Sequence, residues 1–428
     1  MGSGLEARRL GPVGFALLMF SMTACLPLFF LGPMAYSSGL SLGQALVGAL
    51  VGNGLVGAAM VVNGLPGVRE RMDFNSQARM AFGRYYRIPV LLRGVVGGLW
   101  YGVEAYNGAL ALALIALALA GSPTDGIMER ATLLVPLFLA LYVATATTVF
   151  AKGIEAVGRA ASVVGPLLFL YFLALLAQTP RSSGVELPGG TGWLDDAFLT
   201  YLAVQTGWWL TVAINMSDLS RTARSPGAVA AGVFLGMVGG QILGTYTGYM
   251  LAATSGALLP QELIVRSGVG LPLTLLGLAF AFLAPWTTDL SANLPALESL
   301  LRSLRLGSRR NAAIAAGLLG LVLAPWYAMD KAQDIVGYVA SFAADYGILL
   351  GPVLGSMIPS ALGYRRSPRR LLAAIMLGIV AAYIHAVLAG AVQHLELSTL
   401  SIPFPPPVAL YTGTIVSLIT AMIPGTKR

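Results

Sequence analysis

Residues 11–35 form one long apolar run, and runs of similar character follow near 42–64, 89–119, 131–151, 158–178 and 196–217, then near 226–253, 269–299, 309–327, 335–358, 370–391 and 406–424. A helix that crosses a bilayer needs about 20 mostly apolar residues. Twelve such runs in 428 residues leave little chain for anything else. Only 10% of the residues are charged, against about 25% in an ordinary soluble domain, so the apolar surplus calls for a lipid solvent. The expected class is an all-α integral membrane protein with twelve transmembrane helices. The opening run is too long for the apolar segment of a signal peptide and lacks a small-residue cleavage site, so it reads as a retained span.

The net charge of +8 would point to nucleic acid in a soluble protein, but in a membrane protein it is read by position. Alternate loops and ends hold 21 of the 26 Lys and Arg residues, the opposite set holds Arg130, Arg181, Arg266 and Lys331, and Arg93 lies just inside a span. This asymmetry places the basic loops and both termini in the cytoplasm of a cell-membrane protein and gives no reason to expect a nucleic-acid partner. With both ends on one side, helices 1–5 and 6–10 would run in opposite senses, which permits an inverted repeat.

One cysteine, Cys25, excludes an intrachain disulfide framework and a two-cysteine redox motif, and His385 and His394 alone do not make a His-ligated metal centre. No cofactor is expected beyond a coupling ion. An intramembrane hydrolase built on Glu104 and Asp289 lacks both a metal-binding His set and a nucleophile with a His base. A channel would show a more uniform pore-lining pattern. The polar residues inside the spans are candidate functional residues.

Glu104 and Asp289 are the clearest intramembrane acids. Trp100 lies one helical turn before Glu104 on the same face, and an aromatic plane beside a hydrogen-bonding carboxylate suits a flat polar heterocycle; the alternative is a structural carboxylate beside ordinary packing. Span 8 carries Ala284-Pro285-Trp286-Thr287-Thr288-Asp289-Leu290-Ser291-Ala292-Asn293, where hydroxyls and freed carbonyls could hold an alkali cation, or could bond back to their own helix. Trp208 and Trp209 sit in mid-span, unlike an interfacial belt. Asp218 and Arg221 read as a structural pair at the end of that helix. In span 1, Pro27 follows Ser21-Met22-Thr23-Ala24-Cys25-Leu26 and either kinks the helix or exposes a carbonyl for an ion. His385 reads as a packed polar residue.

Taken in order, Gly39-Leu40-Ser41, Arg79-x-x-Phe82-Gly83 with Ile88-Pro89 and Arg93, Trp100-Tyr101-Gly102, Asn215-x-x-Asp218-x-x-Arg221 and Trp286-Thr287-Thr288 resemble the nucleobase–cation symporter-1 family of hydantoin, allantoin, uracil and cytosine permeases. Gly351-Pro352 with Gly355 is similar to the family's Gly-Pro pattern, whereas Pro359-Ser360 stands where many members have Asp-Tyr. The resemblance implies a LeuT-like five-plus-five inverted repeat of the amino acid–polyamine–organocation superfamily, with repeats at about 11–178 and 196–360 inside a 1–360 core. Two peripheral helices would occupy 361–428.

By the same motif matching, Trp100 corresponds to the stacking tryptophan of helix 3, and Trp209, or Trp208 in the alternative register, to the second stacking aromatic. Glu104 stands where hydantoin-type members often have Gln, Asn293 matches a substrate-binding Asn, and Cys25 faces substrate. Thr287 and Thr288 match the hydroxyl pair of a sodium site, with carbonyls from Ala284, Ser21 and Ala24.

The expected function is secondary active import of a nucleobase-like heterocycle coupled to Na+ or H+ by alternating access. The runner-up is a symporter for another small polar solute, such as a vitamin precursor or an amino acid. An ionised Glu104 only accepts hydrogen bonds, where Gln also donates. This implies a solute rich in N–H donors, or a carboxyl, Glu104 with Asp289 as the other candidate, that exchanges a proton during transport. Glu104→Gln should therefore change both the solute preference and the pH profile of uptake; unchanged behaviour would remove the acid from this role.

Overall fold

The computed structural model describes residues 9–26, 28–152, 155–178, 186–306, 308–323, 342–343, 345–394 and 406–423. It is helical almost throughout. The amino-terminal half holds α1 (Pro12–Thr23), α2 (Leu28–Ser37), α3 (Leu42–Asn63), α4 (Leu65–Glu70), α5 (Phe74–Phe82), α6 (Arg87–Leu119), α7 (Ile127–Lys152) and α8 (Glu155–Gln178). Next come α9 (Asp196–Gly207), α10 (Leu210–Ile214), α11 (Met216–Ser220), α12 (Pro226–Ala231) and α13 (Gly239–Ser255). The remainder is α14 (Pro260–Arg266), α15 (Leu271–Thr288), α16 (Leu294–Ser303), α17 (Arg309–Leu323), α18 (Gly347–Ala361), α19 (Pro368–His394) and α20 (Ala409–Met422).

Among the described residues, six helices are long and apolar enough to cross a membrane: Leu42–Glu70, Arg87–Leu119, Ile127–Lys152, Pro226–Ser255, Leu271–Ser303 and Pro368–Gly390. α1 and α2 together make a seventh if counted as one broken span, bent by 58°. Pro27, to which the sequence assigns that break, lies outside the described residues, as do all of 324–341 and the segment 395–405 that the sequence places beside the last spans.

A stripe of glycines decides how the broken span is held. Gly232, Gly236, Gly240, Gly244 and Gly248 recur every four residues through α12, a π-helical segment at Gly232–Val238, and α13. All five face α1–α2, and a methyl group at Gly240 would lie 3.0 Å from Thr23 Cγ2, while one at Gly248 would lie 2.9 Å from the Phe29 carbonyl oxygen. Small residues let helix backbones approach in a bilayer, where dispersion rather than water exclusion drives association. The buried side chains Phe15, Met19, Thr23, Leu28 and Phe29 fill the seam opposite.

A second interface is polar. The Asn53 amide on α3 donates to Gln205 Oε1 on α9 at 2.8 Å, and the Gln205 amide donates to the Tyr201 hydroxyl at 2.6 Å. The Thr206 hydroxyl donates to the Gly52 carbonyl at 3.0 Å. At the far end of the chain, Arg366 donates to the carbonyls of Ala421 and Met422, and Arg370 to that of Ile423, which satisfies the last carbonyls of α20. His385 is half-buried and packs through Nδ1 against the Thr412 hydroxyl at 2.8 Å.

Gly248→Val would force a side chain into the Phe29 backbone, which cannot move without unseating α2. Overpacking of this kind costs about 1–3 kcal/mol. The expected result is a lowered apparent melting temperature in detergent, while Gly54→Ala, whose added methyl meets nothing within 4 Å, leaves it unchanged.

Candidate functional site

Two spans break, a third winds through a π-helical turn, and the three irregular stretches meet. In the first, α1 ends at Thr23, whose hydroxyl bonds back to the Met19 carbonyl at 2.7 Å. The Cys25 N–H then turns to the Thr23 carbonyl at 2.7 Å instead of continuing the helix, and the carbonyls of Met22 and Ala24 accept no backbone N–H among the described residues. In the second, α9 gives way to α10 at Trp208 and Trp209, and α10 ends at Asn215. In the third, Asp289–Asn293 winds as a π-helical turn between α15 and α16, so the irregular turn falls after the Thr287-Thr288 pair rather than at Pro285. Irregular backbone at membrane depth is tolerated only where protein or a cavity surrounds it.

Cys25 from the first stretch, Trp208 and Trp209 from the second, and Asn293 from the third line one small cavity of about 60 Å³. Trp100 and Glu104 from α6 and Thr288 from α15 complete the set of expected residues on its wall. Trp100 and Trp208 pack edge to face with centroids 5.1 Å apart, and Trp209 lies alongside in the wall. Both tryptophans of the pair therefore reach the cavity.

Glu104 is 3% exposed, and its Oε2 has no hydrogen-bond partner among the described residues. The same holds for the indole Nε1 of Trp209. An acceptor and a donor are thus left open on a wall of aromatic rings, which is how orientation is usually fixed in a small-molecule pocket.

Asp289 differs. It is fully buried away from the cavity wall, with Oδ2 accepting from the Tyr142 hydroxyl at 2.8 Å and Oδ1 from the Asn293 amide at 2.8 Å. Its carboxylate pins the π-helical turn and presents Asn293 to the cavity.

The expected cation ligands divide. The hydroxyls of Thr287 and Thr288 both donate to the Ala284 carbonyl at 3.0 Å, so these three oxygens are clustered by bonds within their own helix. Thr288 reaches the cavity wall; Ala284, Thr287, Ser21 and Ala24 are not among its lining residues. Among the described residues no group of three or more His, Cys, Asp or Glu could hold a metal ion.

The cavity adjoins a larger vestibule of about 370 Å³ at the end of the bundle that bears Arg221 and Arg302, and Met22, Arg93, Val212 and Ala292 line both. Around the vestibule, Asp218 accepts from the Phe74 N–H at 2.8 Å and from the Asn215 amide at 3.3 Å, while Arg221 Nε donates to the Asp218 backbone carbonyl at 3.2 Å. The carboxylate therefore caps α5, and the pair expected at the helix end joins through backbone instead. Asp73 caps the same helix through the Ser76 N–H at 2.8 Å. Burial raises its carboxyl, but the Ser76 hydrogen bonds and the Arg221 charge outweigh that and bring it below its usual value.

Arg93 is the wall residue whose role the sequence left unassigned. Its signal was present: a lone guanidinium inside a span, seven residues before Trp100 and therefore on the same helical stripe.

The chain matches the family described as permeases for cytosine/purines, uracil, thiamine and allantoin over residues 4–386. It is 26% identical over 368 residues to the purine-uracil permease NCS1 of Arabidopsis thaliana, covering 80% of this chain and 59% of the plant protein's length. It is 25% identical over 386 residues to the hydantoin permease of Microbacterium maritypicum, covering 84% of this chain and 74% of that protein. The allantoin permease of Bacillus subtilis is 22% identical over 379 residues, covering 83% and 76%.

Among solved structures, the inward-facing conformation of Mhp1 superposes with a TM-score of 0.75 at 21% identity, covering 97% of this chain and 90% of that one. The closed conformation of Mhp1 with bromovinylhydantoin bound gives 0.72 at 22% identity, covering 97% and 92%. These likenesses establish the fold. The chain belongs to the family of permeases for cytosine and purines, uracil, thiamine and allantoin.

Proposed function

We propose that this chain is a secondary active transporter that imports a nucleobase or a related planar nitrogen heterocycle of the cytosine, uracil, allantoin or hydantoin type. The observation that carries the reading is a carboxylate oxygen, Glu104 Oε2, which has no hydrogen-bond partner among the described residues and lies beside Trp100, Trp208 and Trp209. In the proposed complex the ring stacks on the Trp100 and Trp209 indoles, Glu104 accepts its N–H groups, and the Asn293 side chain, oriented by Asp289, contacts its edge. Family membership and the fold support the reading.

The proposal includes coupling to Na+ or H+. A cation at the Ser21 and Ala24 carbonyls, the Ala284 carbonyl and the Thr287 and Thr288 hydroxyls would hold the broken first span against the eighth. Such a cation raises solute affinity only if both ligands favour one conformation, and the effect is reciprocal. Glu104, with Asp289 behind it, is the proposed proton site if protons drive the cycle.

The described state is open toward the basic loops, since the vestibule is lined by Asp218, Arg221 and Arg302. Placing those loops in the cytoplasm by their charge makes this the inward-open state and both termini cytoplasmic. Five-plus-five repeat architecture and twelve spans complete the proposal.

Ligand binding to the folded state raises apparent stability. In a thermal-shift screen of the purified protein, a nucleobase or hydantoin should raise the melting temperature, and one of Na+ or acid pH should enlarge the shift. A larger response to amino acids or vitamin precursors than to any base would favour the other solute class. Trp209→Ala and Trp100→Ala should each weaken binding about tenfold or more, since stacking on an aromatic is worth about 1–3 kcal/mol per base. In proteoliposomes, an imposed Na+ or proton gradient should drive accumulation of the same solute; binding without gradient-driven uptake would contradict a coupled transporter.

A further inference from the structure

Arg93 is the charged side chain that faces both the inner cavity and the vestibule, and it is 2% exposed. Its Nε donates to the Thr211 carbonyl at 2.9 Å and to Asn215 Oδ1 at 3.3 Å. These bonds tie α6 to the broken sixth span just beyond Trp209. Nη1 is different: it is buried and has no hydrogen-bond partner among the described residues.

The direction of that free donor is fixed by Gly97, one turn further along α6. A methyl group at Gly97 would lie 2.8 Å from Arg93 Nη1 and 3.0 Å from the Ala296 methyl. Glycine leaves the space in which the guanidinium folds back along its own helix, beside the Ala296 methyl and the Asn293 carbonyl, where the cavity and the vestibule join. Among the described residues no acid takes up Nη1. Asp218 is committed to the Phe74 N–H and the Asn215 amide, and Asp289 to Tyr142 and Asn293. Glu104 is eleven residues away on the same helix, about 16 Å of axial rise.

Trp100 is thus bracketed along one stripe of α6. An open cationic donor sits about one turn to the basic side of it, and an open carboxylate about one turn to the other. Resting on the transporter reading above, we propose that Arg93 is a specificity-determining residue that binds an oxyanion on the solute: the transported heterocycle carries a carboxylate arm pointing toward the basic end, with its ring N–H groups toward Glu104. A charge-assisted hydrogen bond from a desolvated guanidinium is the strongest polar contact this wall can offer, and a neutral base without an acceptor arm leaves it unmade.

The test compares matched pairs of ligands on the full-length protein in detergent. The pairs are uracil against uracil-6-carboxylate and hydantoin against hydantoin-5-acetate, measured by isothermal titration on wild type, Arg93→Gln and Arg93→Lys. The expected result is a carboxylate preference of about tenfold or more in wild type, abolished in Arg93→Gln and partly kept in Arg93→Lys. The ratio of two ligands within one variant is insensitive to a general loss of folded protein. Equal or tighter binding of the neutral members to wild type, or a preference that survives Arg93→Gln, overturns the proposal. Binding of the neutral members would then still support a heterocycle transporter. Binding of no member of either pair would overturn this inference together with the heterocycle reading it rests on.

Discussion

Hydrocarbon offers no hydrogen bonds, so a helix can be interrupted inside a membrane only where the freed backbone groups meet other protein groups or a polar cavity. This constraint organises the whole bundle. Among the described residues two spans are interrupted, at 24–26 and at 208–209 with 215, and a third winds through a π-helical turn at 289–293; together they contribute Cys25, the two tryptophans and Asn293 to one wall. The site is therefore a consequence of where the helices could afford to stop.

Two devices keep the irregular stretches in register. The glycine stripe on the seventh span lets the two halves of the first span, bent by 58°, both lie against it at backbone contact. The Tyr142, Asp289 and Asn293 chain does the same for the eighth span with polar groups. A carboxylate buried among hydrocarbon is costly to leave unpaired, and here both its oxygens are engaged. The contrast with Glu104 is informative. Two intramembrane acids of similar burial differ in whether the protein itself supplies their partners, and the unpartnered one faces the cavity.

Much of this was legible in the sequence. The apolar runs mark the membrane class, Trp100, Glu104, Trp208, Trp209, Thr288 and Asn293 stand out as polar or aromatic residues within spans, and Cys25 enters through the family resemblance. What escaped was relational. That Asp289 is satisfied while Glu104 is not depends on Tyr142, 147 positions from Asp289 in the chain, which no local pattern reveals. The Thr287 and Thr288 hydroxyls could be read as ion ligands or as helix-bonded, and both currently bond to Ala284. Arg93 carried a signal, an arginine in a span on the Trp100 stripe, but its meaning required Gly97 and the open Nη1.

The central claim is that the cavity walled by the three irregular stretches is the solute site and opens toward the basic loops. Cys25 is the chain's one cysteine and lies on that wall, so the unaltered protein carries its own reporter. A small membrane-impermeant methanethiosulfonate applied to oriented vesicles measures it directly. The account predicts modification of Cys25 from the face bearing the basic loops, slowed by a bound heterocycle. Modification from the opposite face alone, or at a rate no ligand changes while binding is otherwise demonstrated, would contradict it.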